Sequence, residues 1–430
     1  MKNAKEVTIK RLKERYFEFV HKSGLKVVVC PTEDRATYYA LLGSAYGSIN
    51  NSFKSTNGEV VTVPEGIAHF LEHKLFESKN GQDVFKYFAK NGARVNAFTS
   101  HEKTCYHFSC TNNFFSNLEL LLDFVTSPCF SNESIEKERG IIGQEIGMCE
   151  DDPYYQADCN ALNAMYGAHP IAQSILGTVV SISKITKELL TNCYNTYYVP
   201  CNMVLVVVGD VELADILRVV DKFFFSCDFA AKPPENFIPK EPYAVRERIV
   251  QKDLPIALPW VEIGIKERAG TRADGFLNGF KYWMLLQMLF GEASEFCSDC
   301  YRLDIIREPL WLSSRAGDGF CYLDISGATP QPEKLYQMVL DELRKQHLHG
   351  LNKANFQRIK KYAIAQYVRR WEDTESLAVG LFDLSCLGLG FNDIDELIAN
   401  LEAASLDSMF AKTFQEEQTV LSVVKSSSGG

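Results

Sequence analysis

The chain has 430 residues, of which 46% are apolar and 23% charged, and a net charge of -10. That length exceeds one ordinary core of roughly 100–200 residues, so two domains are expected. The acid excess argues against a phosphate-wrapping nucleic-acid face, which normally carries a surplus of Lys and Arg; it fits either a preference for basic peptides or a plain solvated surface.

From the N-terminus, Met1 to Arg15 carries charges with no apolar run behind them, which argues against a secretory signal. Residues 16–31 and 37–46 predict strands. Thr62-Val63-Pro64-Glu65 has the form of a capping box and predicts a helix to about residue 78. A second helix is expected at 81–91, a strand hairpin at 93–100 and 103–110, and helices at 114–127 and 132–150. Met203 to Val208 is a continuous apolar run, as in a buried strand, ended by Gly209-Asp210 and followed by a helix at 212–225.

The proline-rich segment from Lys232 to Pro242 cannot continue helix or strand. Beyond it, strands are expected at 244–251, 258–266, 319–327 and 419–425, with helices at 272–290, 331–348, 352–372, 376–386 and 406–416. The order repeats that of the first half. The expected organisation is therefore two α+β domains of one design, 1–231 and 244–430, joined by a linker at 232–243. No stretch reaches the ~18 uncharged apolar residues of a membrane span. The 13 cysteines have no regular frame and read as reduced thiols, which predicts a cytoplasmic location. Cys297 and Cys300 form a lone CxxC without a second pair, so two buried thiols one turn apart is the expectation there.

The chemistry-bearing motif is His69-Phe70-Leu71-Glu72-His73. On a helix His69, Glu72 and His73 share one third of the circumference. Imidazoles one turn apart can reach one ion, with the Glu close by and not bound to it, and zinc suits such ligands. HxxEH inverts the order of HExxH and keeps its geometry. Two histidines packed in a core are the alternative. A third ligand is expected on another element: the helix at 132–150 has Glu138, Ile142, Glu145 and Cys149 on one face, although an ordinary exposed face is also possible for the two acids. Its opposite face carries Gly140, Gly143 and Gly147, which predicts close backbone approach by a neighbour.

Gly66-Ile67-Ala68-His69-Phe70-Leu71-Glu72-His73, Gly92-Ala93-Arg94-Val95-Asn96-Ala97-Phe98-Thr99 and Glu138-Arg139-Gly140-Ile141-Ile142-Gly143-Gln144-Glu145 resemble, in order and near spacing, the insulinase/pitrilysin family of metallopeptidases, the inverzincins. Tyr198 to Met203, running into Gly209-Asp210-Val211, is similar to the strand that ends the family's first domain. The resemblance implies a half-clamshell of two homologous domains, each a mixed β-sheet with helices packed on it, of which only the first carries metal. The counterpart of the metal helix, at about 277–290, has no HxxEH.

Residue by residue, the resemblance implies His69, His73 and Glu145 as ligands of one zinc ion, Glu138 as a carboxylate orienting a ligand, and Glu72 as general base. It places peptide substrate on the strand 93–100, against Ala93, Asn96 and Ala97. Many relatives have an Arg and, seven residues on, a Tyr in the second domain; here Arg307 is present but Ser314 stands for the Tyr, so Arg307 is either an aid to the scissile carbonyl or a surface ion pair. The implied function is zinc-dependent endopeptidase action on peptides or unfolded segments. The implied assembly is a homodimer, or a heterodimer with a homologous chain lacking the motif. The alternative is a non-catalytic scaffold subunit, as some relatives are, though such subunits usually lose the metal residues. Nothing in the chain chooses among substrates.

Overall fold

Apolar continuity decides which strands lie in the middle of the first sheet. The structure, a computed structural model, describes residues 4–9, 13–32, 35–77, 84–224 and 232–426. Its first seven-stranded sheet is built from β1 (Lys5–Ile9), β2 (Glu14–Val20), β3 (Lys26–Pro31) and β4 (Tyr38–Ser44), then, past a small hairpin of β5 (Ser52–Lys54) and β6 (Val60–Thr62), from β7 (Ala93–Thr99), β8 (Thr104–Cys110) and β9 (Met203–Gly209). The order is β1-β2-β3-β9-β4-β8-β7. β9, Met-Val-Leu-Val-Val-Val-Gly, is buried along its whole length, as a strand covered on both faces must be. Residues 16–31 are two strands and not one, because Gly24 turns the chain at φ 91°. β7 is the edge, and its pairing sets the faces: Val95, Ala97 and Thr99 lie opposite Phe108, Tyr106 and Thr104.

The helices of the first half are α1 (Ile67–Leu75), α2 (Val84–Lys90), α3 (Phe114–Thr126), α4 (Asn132–Glu150), α5 (Pro153–Met165), α6 (Val179–Ile182), α7 (Lys187–Tyr197) and α8 (Leu213–Phe224). The start of the helix expected at 81–91 lies outside the described residues. The second sheet contains β10 (Ile249–Asp253), β11 (Trp260–Lys266), β12 (Trp311–Gly317), β13 (Phe320–Ala328) and β14 (Thr419–Lys425), in the order β10-β14-β11-β13-β12. Its helices are α9 (Arg272–Phe290), α10 (Glu295–Arg302), α11 (Pro332–His349), α12 (Lys353–Glu372), α13 (Thr374–Leu387), α14 (Phe391–Asn400) and α15 (Ala403–Lys412).

The two sheets share a topology. β9 runs parallel to β3 and antiparallel to β4, and β14 runs parallel to β10 and antiparallel to β11. β8 and β7 then follow β4 as β13 and β12 follow β11. By this correspondence α9 is the counterpart of α1, each leading from the strand next to the central one towards the edge hairpin. Val261, Ile263, Ile265, Leu323, Ile325, Leu421 and Val423 bury one face of the second sheet with α9, α11 and α15.

The linear division at 232–243 separates the sheets, but packing assigns two further segments against chain order. The compact units are Met1–Gln144, Ser174–Phe237 and Tyr367–Asp395 in one, and Glu145–Gln173, Ile238–Gln366 and Glu396–Gly430 in the other. α5 lays Ala157 against Leu254 and Val424, on β10, β11 and β14. α13 covers β4 and β9 in the first unit, so closely that a Cβ on Gly43 would lie 2.3 Å from the Phe382 ring. The linker is irregular, as prolines require, and it is docked. Phe237 N donates to Ser52 O at 2.8 Å in the first unit. In the second, Glu241 accepts from the backbone amides of Gly167, Ala168 and His169 and pairs with buried Lys266 at 2.9 Å.

Among the described residues no single helix is long and apolar enough to cross a membrane. The bent pair Thr374–Leu387 and Phe391–Asn400 passes on length and composition, but its first member buries Leu377, Leu381 and Leu384 within the first unit.

Candidate metal centre

Two features make α1 a fixed carrier of side chains. The chain enters it through Gly66 at φ 88°, where a Cβ would lie 2.4 Å from Leu176 O, so this position requires glycine. Thr62 therefore ends β6 and is not a helix cap; the helix starts five residues later than the sequence pattern predicts. Of its nine residues every one but His73 is buried, which leaves the polar side chains no solvent to turn to.

His69 and His73 stand one turn apart with ring centroids 4.5 Å apart. Their ring nitrogens and a carboxylate oxygen of Glu145 lie within 4.8 Å of one another, the one such group among the described residues. Zinc bonds of about 2.0–2.2 Å bridge a set of this size after small rotamer adjustments, and two imidazoles with one carboxylate are zinc donors. Burial, and then the neighbouring His73, push the His69 pKa down to about 3. The ring is therefore neutral over the working pH range, the form that binds metal. His73 Nδ1 lies 3.0 Å from Glu138 Oε1. A carboxylate only accepts, so Nδ1 carries the proton and Nε2 the lone pair, which fixes the tautomer needed for a metal. The chemistry and spacing of these donors fit zinc.

Glu72, 7% exposed, lies on the same helix, within the third of its circumference that carries the two histidines. Its Oε2 accepts from Thr99 Oγ1 at 2.6 Å. α4 supplies Glu138 and Glu145 from the face on which Ile135, Ile142 and Ile146 are buried. The expected close approach at its glycines is overturned: a Cβ at Gly140, Gly143 or Gly147 would meet nothing within 4 Å. Their face is open because α4 packs through its isoleucines.

Ala93, Asn96 and Ala97 all lie on edge strand β7, but not on one face. Ala97 shares the α1 face with Val95, while Asn96 is exposed on the other, its Oδ1 accepting from Ala97 N at 2.9 Å. Arg307 is an exposed side chain forked onto Asp304, with both contacts at 3.2 Å: the surface ion pair. Ser314, in the place of the family Tyr, donates to Gly279 O. His101 is buried with Nδ1 3.0 Å from Ser48 Oγ, and His107 stacks on Tyr39. Cys297 and Cys300 are buried free thiols, the latter pushed up to about 12 by burial.

The sequence pattern missed Thr99 and Lys74. Alternation along β7 from Val95 puts Thr99 on the α1 face, a signal that was available. Lys74, 1% exposed and paired with Glu77, has no such signal, since a lysine beside a motif reads as solvated.

Comparison with known proteins agrees with this geometry. The family described as Insulinase (Peptidase family M16) matches residues 62–179, and that described as Peptidase M16 inactive domain matches 184–362. The chain is 34% identical over 432 residues to the uncharacterized zinc protease YmfH of Bacillus subtilis, covering 98% of this chain and 100% of the relative. The chain belongs to peptidase family M16. An M16-like peptidase from Alicyclobacillus acidocaldarius superposes with a TM-score of 0.93 at 30% identity, over 98% of this chain and 100% of that one. A protease from Helicobacter pylori shares the fold, with a TM-score of 0.83 at 24% identity over 96% and 99% of the two chains. The M16 fold accounts for both halves: the first has HxxEH on α1, and α9 at the corresponding place in the second has no histidine.

Proposed function

We propose that this M16 chain is a zinc-dependent endopeptidase that hydrolyses peptides or unfolded segments. The observation that carries this is the convergence of His69, His73 and Glu145 beside a buried, hydrogen-bonded Glu72. Bound zinc supplies Lewis acidity, which acidifies water and polarises a peptide carbonyl. His69, His73 and Glu145 would hold it, and Glu138 keeps His73 in the ligating tautomer. Glu72 accepts the proton of the attacking water and passes it to the leaving amine. Among the described residues β7 is the end strand of its sheet, and an extended peptide adds there as a further strand, with Ala93, Asn96 and Ala97 lining it.

The working assembly is a dimer, of two copies or with a homologous chain, enclosing a chamber that admits peptides and excludes folded proteins. The location is the cytoplasm, a reducing compartment in keeping with the free state of every described cysteine.

The test is metal analysis of the purified chain, then incubation with a mixed peptide pool with and without chelator. About one zinc per chain and chelator-sensitive cleavage are expected. Silence in both conditions, alone and with a homologous partner, would assign the chain to a scaffold role.

A further inference from the structure

Glu72 is not held by its own helix alone. The 2.6 Å contact from Thr99 Oγ1 falls in the range of a hydroxyl donating to an ionised carboxylate, about 2.5–2.7 Å. Thr99 is the last residue of β7 and pairs across the hairpin with Thr104, their hydroxyls 3.2 Å apart. Thr104 is fully buried and its Oγ1 lies 2.9 Å from Tyr46 O. Behind it the hydroxyls of Tyr106 and Tyr198 meet at 3.0 Å. A line of hydroxyls thus runs from the carboxylate of Glu72 into the core between α1 and the sheet.

Each threonine hydroxyl has one proton to give. Thr99 spends its own on Glu72 and Thr104 gives its own to Tyr46 O, so Thr104 backs the Thr99 hydroxyl by close contact at 3.2 Å and not by a hydrogen bond. A glutamate otherwise has rotamer freedom to lose, and a reacting group displaced by ~1 Å can cost on the order of a hundredfold in rate. Thr99 also belongs to the strand whose edge the peptide would join, so one hydroxyl ties the base to the element that receives the substrate.

We propose that Thr99, backed by Thr104, is the positioning residue for Glu72, pinning one carboxylate oxygen to the end of the substrate-receiving strand. This rests on the assignment of Glu72 as general base, and the test separates the two. Thr99→Val keeps the β-branched shape that a strand favours and removes the hydroxyl; Thr99→Ser restores it. Peptide hydrolysis by the zinc-loaded full chain should show kcat down about tenfold or more in Thr99→Val, the kinetic equivalent of one lost hydrogen bond to a charged group. KM and zinc affinity, the latter from chelator competition, should not move, and Thr99→Ser should recover most of kcat. A rise in KM alone would make Thr99 a wall of the substrate strand and overturn the proposal. So would a Ser variant no better than Val.

A chain without cleavage would remove the peptidase assignment, not this contact. Urea unfolding of the metal-free parent, Thr99→Val, Glu72→Met, which keeps the length and removes the acceptor, and the double variant then decides. A double loss smaller than the sum of the single ones supports the coupling, and additive losses overturn it.

Discussion

Glu138→Gln tests how far the metal centre depends on a residue that need not touch the metal. His73 Nδ1 sits 3.0 Å from Glu138 Oε1, and the Glu138 side chain is only 15% exposed, so solvent screens this contact poorly. The amide still offers an oxygen to Nδ1–H but no charge. Hydrogen bonds to charged groups contribute about 1.5–3 kcal/mol and neutral ones about 0.5–1.5, so the exchange should weaken zinc binding by about 1–2 kcal/mol. That corresponds to a loss of roughly tenfold, at the lower end of the 10–100-fold typical of such supporting residues. Glu138→Ala, which leaves the ring without its acceptor, should lose more, towards a hundredfold. The assay is competition for zinc against a chromophoric chelator, with thermal unfolding of the metal-free protein as the control for folding. Affinities for Gln and Ala equal to the parent would show that His73 is oriented by something else. Equal losses for the two would show that the carboxylate acts through packing.

Glu72→Gln should retain zinc and lose hydrolysis by at least about a hundredfold; cleavage at the parent rate would remove Glu72 as base. Glu241→Gln should destabilise the chain by about 3–5 kcal/mol in urea unfolding, because Lys266, 2% exposed, would keep a buried charge without its partner; an unchanged midpoint would refute this. The same carboxyl governs an acid limb. Burial pushes Glu241 up, but Lys266 and the amides of Gly167, Ala168 and His169 bring it down to about 2. Its stabilising share is therefore full above about 4.5 and is lost as pH falls towards 2, and Glu241→Gln should flatten the pH dependence of unfolding in that window. Gly143→Ala should raise stability by roughly 0.5–1 kcal/mol, since the added methyl meets nothing within 4 Å; a loss measured by thermal unfolding would mean that α4 is not open there.

Much of the fold could be read locally. α4 spans the predicted 132–150, and β9 follows from its unbroken apolar run. The clustering of His69 and His73 was legible because helical spacing converts sequence distance into direction, and α1 is buried as its apolar surface implies. Spacing alone did not single out Glu145, which only the family resemblance did. The errors share a cause. Thr62 to Glu65 has the composition of a cap, but the chain turns at Gly66, whose φ answers to a carbonyl more than a hundred residues away. α5 and α7 were not foreseen, and neither was β12. Periodicity shows which face of an element is apolar and not which sheet will cover it, so the transfer of α5 and α13 between units could not be seen. Alternation along β7 already places Thr99 on the α1 face, and its contact with Glu72 needs the packing of that strand on α1 as well.

The corresponding helices α1 and α9 show what the metal centre costs this fold. α9 fills its buried positions with Tyr282, Met284, Leu285, Leu286, Met288, Leu289 and Phe290, as a helix does when it only has to close a core. α1, only nine residues long, buries His69, Glu72 and Lys74 among its apolar side chains. Polar groups taken from water cost about 1–3 kcal/mol each even by mutational measures, and charges more, unless partners replace the solvent. Partners found here are therefore part of the same requirement: Thr99 for Glu72 and Glu77 for Lys74, with Glu138 on the half-buried His73 beside them. A helix selected for stability alone would look like α9. One of two topologically equivalent helices keeps the expensive arrangement, with acceptors and donors placed to support it, which is the physical ground for placing the candidate metal site in the first half.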